Sequence, residues 1–328
     1  MRILVTGGAG FIGSCFVRQM LTTHPDYKII NLDALTYAGN IENLDDVKTN
    51  PNYKFVHGDI CDKKLVLELM HDVDVCVNFA AESHVDRSIT GPEIFIETNI
   101  KGTLNLLQAA KEAKVERYLQ VSTDEVYGSL GKTGYFTEQT PIAPNSPYSS
   151  SKAGADLLVR AYFETYGMPV LTTRCSNNYG PYQYPEKLIP FFIGNLLNDK
   201  KVPVYGDGLN VRDWLYVYDH CSAIDRVLHR GKAGEVYNIG GNNEKTNMEI
   251  TRILLSAMNK NESSIQYVED RLGHDRRYAI DSSKIQNELG WSPSVTFEEG
   301  IQLTINWYLN NQDWIKSIEA KKSAMAVN

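Results

Sequence analysis

Residues 6–13 read TGGAGFIG and join an apolar run, Ile3-Leu4-Val5, to an amphipathic stretch that predicts a helix over residues 11–22. The glycines recur every third position: Gly7, Gly10 and Gly13. They permit a tight turn, a close approach of backbone to a pyrophosphate, and close packing of helix on strand. A helix N-terminus adds free N–H donors for an anion. A glycine-rich turn without a ligand is the alternative, but the strand–turn–helix context favours a dinucleotide site.

The same alternation of short apolar runs and helical stretches continues beyond this segment. It predicts helices at residues 61–71, 93–114 and 148–166, and strands at residues 28–32, 53–56, 74–79, 117–122 and 169–173. Alternating strands and helices indicate an α/β protein with a doubly wound, parallel sheet of the Rossmann type.

The alternation of strand-like and helical stretches becomes less regular after residue 178, where tyrosine and proline become frequent. We therefore expect a Rossmann domain over residues 1–178 and a smaller α/β substrate domain over residues 179–207 and 241–328. Strand-like runs at 211–217 and 236–239 are expected to return to the main sheet, which makes the second domain discontinuous. The last residues, 321–328, have the composition of a frayed tail.

Composition excludes several classes of protein. The 328 residues carry a net charge of −7 and no block of basic residues, so nucleic acid is not an expected partner. No apolar run approaches the roughly 20 residues of a membrane span, and the start of the chain does not resemble a signal peptide. Five scattered cysteines without a CxxC spacing predict neither a disulfide framework nor a zinc site. We expect a cytoplasmic protein without a metal.

Asp33 follows the second predicted strand, about 20 residues after the glycines, where an acid binds the hydroxyls of an adenosine ribose. No arginine lies near it, which favours NAD over NADP. Asp59, after the third strand, is positioned to meet the adenine. Small residues end the fourth strand, Ala80 and Ala81, and suit a close approach to the cofactor.

Tyr148 and Lys152 lie four residues apart on a predicted helix and so share one face. An ammonium beside a phenol, together with a positively charged nicotinamide, is expected to lower the pKa of Tyr148 and make it a base. Thr123 ends the fifth strand and is expected to bind the hydroxyl that Tyr148 deprotonates. The alternative is an exposed tyrosine with an unrelated lysine.

Two carboxyls, Asp124 and Glu125, follow Thr123 directly. A solvated acidic turn is a common alternative. An elimination, however, needs one acid and one base, and different surroundings can separate the pKa values of paired carboxyls.

These motifs together resemble the extended short-chain dehydrogenase/reductase superfamily and, within it, the dTDP-glucose 4,6-dehydratase family. The string STDEVYG over residues 122–128 carries most of the likeness. Further matching strings are AAESHVDRS over 80–88, NNYGP over 177–181, RDWLYV over 212–217 and DRLGHDRRY over 270–278. The likeness extends from Met1 to about Trp307. It departs at Leu272, where the family pattern leads us to expect proline.

The resemblance implies a lyase that works through oxidation. Tyr148 takes the proton of the glucose 4-hydroxyl while NAD accepts hydride from C4. Glu125 then removes the C5 proton, and Asp124 protonates the leaving 6-hydroxyl. Hydride returns to C6 and C5 is reprotonated, which gives the 4-keto-6-deoxy sugar nucleotide. NAD is regenerated in each turnover and is therefore expected to be tightly bound. The implied setting is deoxysugar biosynthesis, for example of dTDP-rhamnose.

The resemblance also extends both binding sites. It implies cofactor contacts from Phe11, Ile12, Ala34, Leu35, Thr36, Ile60, Ser83, Thr98, Tyr148, Lys152 and Asn178. For the diphosphate it implies Lys187, Arg212 and Arg271, with His274 beside them. For the sugar or base it implies Thr123, Asn177, Leu188, Pro203, Tyr205 and Asn247. Two roles remain open for His84: a contact with cofactor or substrate, or a purely structural role.

Two other functions remain in competition. One is a related sugar-nucleotide enzyme, either a 4-epimerase or a dehydratase for another nucleotide, and Asp124 with Glu125 argues against the epimerase. The other is a non-enzymatic NAD-binding regulator, which the presence of Thr123, Tyr148 and Lys152 disfavours. The superfamily resemblance also implies a homodimer that pairs the helices at 93–114 and 148–166.

Overall fold

The structure is a computed structural model that describes residues 1–327, with side chains described for residues 1–321. Over this range the chain forms twelve strands: β1 Arg2–Thr6, β2 Lys28–Asp33, β3 Tyr53–His57, β4 Val75–Asn78, β5 Arg117–Thr123, β6 Val170–Cys175, β7 Asn177–Tyr179, β8 Val202–Tyr205, β9 Val211–Tyr216, β10 Val236–Ile239, β11 Glu244–Thr246 and β12 Ile265–Val268.

The α-helices of the same range are α1 Phe11–Thr23, α2 Lys63–His71, α3 Val85–Thr90, α4 Glu93–Phe95, α5 Thr103–Ala113, α6 Pro147–Tyr166, α7 Leu188–Leu197, α8 Val217–Arg230, α9 Asn247–Ala257, α10 Ser283–Leu289, α11 Phe297–Asn310 and α12 Gln312–Val327. A π-helical segment, Ile96–Gly102, joins α4 to α5. A 3₁₀ turn, Asp124–Tyr127, follows β5.

Seven strands form one parallel sheet in the order β10-β6-β5-β4-β1-β2-β3. Helices α1, α8 and α10 cover one face, and α2, α5 and α6 cover the other. The strands are therefore buried on both sides, which explains why β4 and β6 read as continuous apolar or uncharged-polar runs with few charges. The predicted doubly wound parallel sheet is confirmed.

The helix predicted over residues 93–114 is not one regular helix. It consists of α4, the π-helical segment and α5. The π-helical segment packs directly on α6. The approach is close at Gly154 of α6, where a Cβ would lie 2.8 Å from Ile100 Cδ1. Apolar spacing cannot distinguish a π segment from an α-helix, because both bury one face.

The remaining strands form two small sheets, β11-β9-β7 and β12-β8. They share a second core with α7, α9 and α11. The prediction that residues 236–239 return to the large sheet is confirmed by β10, which pairs with β6. The same prediction for 211–217 is wrong, because β9 pairs with β7 and β11 instead.

Helix α12 continues through Val327, so backbone order extends beyond the position where the composition predicted a tail. Asn328 lies outside the described residues. Among the helices of residues 1–327, none combines the length and the apolar character needed to cross a bilayer.

Candidate active site

One deep cleft, with a cavity volume of about 310 Å³, opens at the carboxyl ends of the parallel strands. Ligand sites of open α/β sheets form at this edge. Most residues predicted for the cofactor and for catalysis line it: Gly7, Gly10, Phe11, Ile12, Gly13, Asp33, Ala34, Thr36, Asp59, Ile60, Ala80, Ala81, Ser83, Thr98, Thr123, Asp124, Glu125, Tyr148, Lys152 and Asn178. Two residues predicted for the substrate, Asn177 and Lys187, line the same cleft.

The glycine segment forms a cradle that side chains would fill. Gly7 has a φ of +73°, and a Cβ there would lie 2.6 Å from the backbone nitrogen of Ala80. A Cβ on Gly13 would lie 2.2 Å from the Gly7 carbonyl oxygen. Gly10 caps α1 without a side-chain hydrogen bond, so the first N–H groups of the helix stay available to an anion. This geometry fits a dinucleotide pyrophosphate.

Asp33 ends β2 with a fixed, buried carboxylate. One oxygen accepts from Ala9 N at 2.8 Å, and the other accepts from Leu35 N at 2.8 Å. Burial raises the pKa of Asp33, while these two backbone donors and His57 oppose the rise. Leu35 has a φ of +49° and forms the turn that holds Asp33 rather than lining the cleft. Each carboxylate oxygen keeps a second lone pair for a ribose hydroxyl.

Helix α6 carries the tyrosine and the lysine in its first two turns. A capping box between Ser146 and Ser149 starts the helix, with a proline in its first turn. Tyr148 and Lys152 are both buried on the cleft side. Lys152 Nζ donates to the Val121 carbonyl of β5 at 2.8 Å. Thr123, at the end of the same strand, lines the cleft together with Tyr148. The predicted juxtaposition of these three residues is present.

The expected pKa of Tyr148 is wrong for the polypeptide alone. Burial raises the pKa of Tyr148 well above that of free tyrosine, and the nearby Glu125 and Asp124 raise it further. Lys152 does not reverse this, because its ammonium is bound to a backbone carbonyl and its own pKa is lowered by burial. The nearby Thr123 hydroxyl acts in the opposite direction and lowers the pKa of Tyr148.

Asp124 and Glu125 stand at the start of the 3₁₀ turn that follows β5. Thr123 caps this turn by accepting from Glu125 N at 3.2 Å. Asp124 is 1% exposed, and its Oδ2 has no hydrogen-bond partner within the described residues. Burial, together with the charges of Glu125 and Asp213, raises the pKa of Asp124 well above the usual range. The surroundings of Asp124 therefore favour its protonated, acid form.

Glu125 differs because three cations surround it. Burial raises the pKa of its carboxyl too, but Arg271, Lys187 and Arg212 lower it in that order. The carboxylate form is thus favoured at Glu125 relative to Asp124. Two adjacent carboxyls with opposed surroundings can act as one acid and one base.

The three cations are held in different ways. Lys187 Nζ donates to the Ser83 carbonyl at 3.0 Å. Arg212 donates to the carbonyls of Val211 and Asp275 at 2.7 and 2.9 Å and lies 4.2 Å from the centre of the Tyr278 ring. Arg271 keeps a buried Nε–H without a partner among the described residues. The guanidinium of Arg271 is thus the donor with spare capacity for an anion.

The other predicted substrate residues lie outside the lining of this cleft. Leu188 begins α7, Pro203 and Tyr205 belong to β8, and Asn247 begins α9. The Tyr205 ring packs edge-on against His274, with ring centres 6.2 Å apart. His274 is bound to Asp270 at 2.5 Å.

His84 has a structural contact of its own. It caps α3, where Nδ1 accepts from Arg87 N at 3.3 Å, and it does not line the cleft. Burial, with Lys187 adding to it, lowers the pKa of His84 to about 4, so the ring is neutral at neutral pH. These contacts support a structural histidine.

Sequence reasoning missed Asn99, which lies in the π-helical segment and is 2% exposed. Its side chain bonds both backbone groups of Glu82, at 2.9 and 3.0 Å, and donates to Ser151 Oγ at 2.8 Å. It therefore fixes the loop after β4 to α6, beside Tyr148. A lone polar residue on an otherwise apolar helix face was the available signal.

Tyr37 was also missed. Its ring lies 3.8 Å from the Arg87 guanidinium and packs edge-on against Tyr184. Because Tyr37 and Tyr184 both line the cleft, this contact joins the two sides of its rim. The neighbours are about 50 and 150 residues away in the chain, so no local pattern predicts them.

Comparisons with known proteins agree with this geometry. A family model described as GDP-mannose 4,6 dehydratase matches residues 4–304. A dTDP-glucose 4,6-dehydratase of Xanthomonas campestris pv. campestris is 55% identical over 96% of this chain and 95% of its own length.

Solved structures give the same result. The dTDP-glucose 4,6-dehydratase DesIV of Streptomyces venezuelae, crystallised with NAD and TYD, is 55% identical with a TM-score of 0.94, over 96% of this chain and 98% of that one. The Bacillus anthracis dTDP-glucose 4,6-dehydratase in complex with NAD is 58% identical with a TM-score of 0.91, over 97% and 99% of the two chains.

Proposed function

Because the chain belongs to the dTDP-glucose 4,6-dehydratase family, we propose that it converts dTDP-glucose into dTDP-4-keto-6-deoxyglucose and water, with NAD as a tightly held cofactor. One observation carries the proposal. Asp124 and Glu125 are adjacent and buried beside Thr123 and Tyr148, and their surroundings favour an acid at the first and a base at the second.

NAD would be held by the glycine cradle, by Asp33 at the adenosine ribose, and by the cleft residues around Ala80, Thr98 and Asn178. When bound, it takes up the hydrogen of sugar C4 with its electron pair and later returns it at C6, while C5 regains the proton that Glu125 removed. The fixed Asp33 carboxylate, with no arginine beside it, supports NAD over NADP.

Thr123 and Tyr148 hold the 4-hydroxyl of the sugar between them. Tyr148 accepts its proton as C4 becomes a ketone. Burial opposes the phenolate, so the base needs a positive charge close by when it acts. Lys152 contributes part of that charge from one turn along α6, and its bond to the Val121 carbonyl keeps the ammonium in place.

The elimination falls to the two carboxyls. The C4 ketone makes the C5 proton acidic, and Glu125 removes it as a carboxylate. Asp124, whose burial favours the protonated form, gives its proton to the departing 6-hydroxyl, which leaves as water. Burial of Asp124 to 1% exposure keeps this proton from bulk water between turnovers. General acid and base groups of this kind typically contribute about 10²–10⁴-fold each.

The diphosphate of the substrate would meet Arg271 and Lys187, with Arg212 behind them. Asn177 lines the cleft at the sugar. Leu188, Pro203, Tyr205, Asn247 and His274 would form the more distant nucleoside subsite, since they lie beyond the cleft on the second part of the chain. We assign residues 179–216 and 241–328 to that part, because β9 pairs with β7 and β11, and residues 1–178 and 217–240 to the cofactor-binding part.

We also propose a homodimer in the cytoplasm. Exposed apolar side chains lie on the neighbouring helices α3, α4 and α6 and on the π-helical segment: Ile89, Ile94, Ile96, Leu157 and Tyr166. Such a patch is typical of a protein–protein interface. Five free cysteines suit a reducing compartment.

A panel of nucleotide-glucoses tests the proposed reaction. The purified chain is incubated with dTDP-, UDP-, CDP- and GDP-glucose and with GDP-mannose, and the 4-keto-6-deoxy product is followed by its absorbance in alkali and by mass spectrometry. We expect loss of one water from dTDP-glucose and the highest kcat/KM for it. An epimerised product of unchanged mass would identify a 4-epimerase. No product from any of the five would favour the non-enzymatic regulator.

A further inference from the structure

A group of histidines and one carboxylate lies far from the cleft, where the two longest helices of one sheet face end. Among the described residues, His24, Asp225 and His229 form a group of three whose potential metal ligand atoms all lie within 4.8 Å of one another. His24 caps the C-terminus of α1, while Asp225 and His229 lie one turn apart near the C-terminus of α8. We propose that these three side chains bind a divalent transition metal ion of the zinc type.

The distances suit one small ion. His24 Nε2 lies 3.1 Å from Asp225 Oδ1, and His229 Nδ1 lies 2.8 Å from the same oxygen. Tetrahedral zinc with ligands at about 2.0–2.1 Å separates neighbouring ligand atoms by roughly 3.3 Å. The two distances to Asp225 are within about half an ångström of that separation, and the two histidine nitrogens lie within 4.8 Å of each other.

The ring of His229 is already oriented for this role. Its Nε2 is hydrogen-bonded to the Tyr27 hydroxyl at 3.0 Å, while Nδ1 faces Asp225 Oδ1 at 2.8 Å and the Asp225 backbone carbonyl at 2.9 Å, a contact that a metal ion at Nδ1 would replace. Metal-binding histidines commonly have such a partner on the second nitrogen. His24 is held in turn by stacking on Tyr27, with ring centres 4.6 Å apart and an interplanar angle of 10°.

The backbone also favours a cation here. Helix C-termini carry partial negative charge within their last turn, and two of them meet at this group. The three side chains are 19–30% exposed, so solvent can complete the coordination shell. Two imidazoles and one carboxylate favour zinc, nickel or copper over magnesium or calcium.

The ion would act as a clamp between α1 and α8. Helix α1 has thirteen residues, so His24 lies roughly 20 Å from the glycine cradle at a rise of 1.5 Å per residue. We therefore assign the ion no part in the reaction. Because the ion would bind the folded chain through residues about 200 positions apart, it should stabilise the fold by mass action.

Titration calorimetry of the chelator-treated, NAD-loaded chain with zinc chloride tests the site. We expect one zinc per chain, unaffected by excess magnesium, and at least a tenfold loss of affinity in His24→Ala, His229→Gln and Asp225→Asn. The matched control is His71→Ala, since His71 is also a histidine in the last turn of a helix but is exposed and lies in another region. Circular dichroism of each variant verifies folding.

Two further readouts separate this site from an incidental one. Cobalt(II) at the site should give d–d absorption without thiolate charge transfer, whereas a thiolate band would assign the ion to a cysteine and overturn the proposal. Zinc should raise the unfolding temperature of the wild-type chain and of His71→Ala but not that of Asp225→Asn. A wild-type chain that takes up no zinc, or binding unchanged in Asp225→Asn, would equally refute it.

Discussion

Asp124 and Glu125 are neighbours in the chain but face different electrostatic surroundings. Asp124 is buried beside Glu125 and Asp213, which raise its pKa, whereas Arg271, Lys187 and Arg212 lower the pKa of Glu125. In a strand-like backbone successive side chains leave in opposite directions, and the 3₁₀ turn after Thr123 keeps the two apart. One dipeptide thereby supplies both proton-transfer groups of an elimination.

Substitution of the two carboxyls should separate the steps of the reaction. Glu125→Gln is expected to abolish solvent exchange of the C5 proton, and Asp124→Asn to slow water loss while C4 oxidation survives. Each should reduce turnover by about 10²–10⁴-fold. Deuterium incorporation at C5 and stopped-flow absorbance of the reduced cofactor measure the two steps. Glu116→Gln, an exposed carboxyl variant, is the control, and equal loss in all three variants would contradict the assignment.

Burial of Asp124 also has an energetic consequence. Its pKa in the folded chain is raised, whereas an unfolded aspartate titrates near about 3.9. Between these two values the folded chain binds one proton more, so this group's contribution to the free energy of unfolding falls as pH rises.

We therefore expect Asp124→Asn to unfold at a higher temperature than wild type at about pH 7.5, with the difference vanishing near about pH 4. Calorimetry at the two pH values measures it. A variant that is less stable at the higher pH would show that the carboxyl is not protonated there.

The π-helical segment between α4 and α5 depends on close packing against α6. Gly154 of α6 leaves no room for a methyl group, because its Cβ would lie 2.8 Å from Ile100 Cδ1. Gly194, inside α7, has open space at the same position. The two glycines make a matched pair within helices of one chain.

Gly154→Ala should destabilise the fold by about 1–3 kcal/mol through overpacking. Gly194→Ala should stabilise it by up to about 1 kcal/mol, because alanine has the better helix propensity. Adding Ile100→Val, which removes Cδ1, should recover much of the loss in Gly154→Ala. Denaturant unfolding gives all the values. If Gly154→Ala matched Gly194→Ala, the packing account of the π segment would be wrong.

The proposed dimer concerns the surface formed by α3, α4 and α6. Ile96 and Leu157 are 49% and 55% exposed on it, and Leu303 on α11 is exposed to 51% elsewhere. The double substitution Ile96→Glu and Leu157→Glu should convert the dimer into a monomer, because association would bury the introduced carboxylates without a partner, which is costly. Leu303→Glu should leave the dimer intact. Light scattering after size-exclusion chromatography distinguishes the two, and a monomeric wild-type chain would exclude the interface.

What the sequence predicted well is what depends on neighbours in the chain. The strand–turn–helix around Gly7, Gly10 and Gly13 and the pair Tyr148 and Lys152 follow from local spacing, and the structure places them in one cleft. The parallel sheet was predictable from the alternation of strands and helices along the chain.

Features that depend on distant partners were not predictable. Asn99 is hydrogen-bonded to Glu82 and Ser151, which are distant in the chain. Strand β9 pairs with β7 and β11 instead of the main sheet, and His24 contacts Asp225 about 200 residues away. The raised pKa of Tyr148 likewise follows from burial, which spacing on a helix does not report.

Helix α8 has a consequence for how the chain is made. It covers the same sheet face as α1 through Cys221, Ile224 and Val227, all fully buried, yet it is synthesised after more than 200 other residues. While the ribosome, at about 5–20 residues per second, extends the chain past β7, that apolar face of the nascent sheet lacks its cover. We therefore expect part of this face to stay uncovered for some seconds, until α8 and the edge strand β10 emerge.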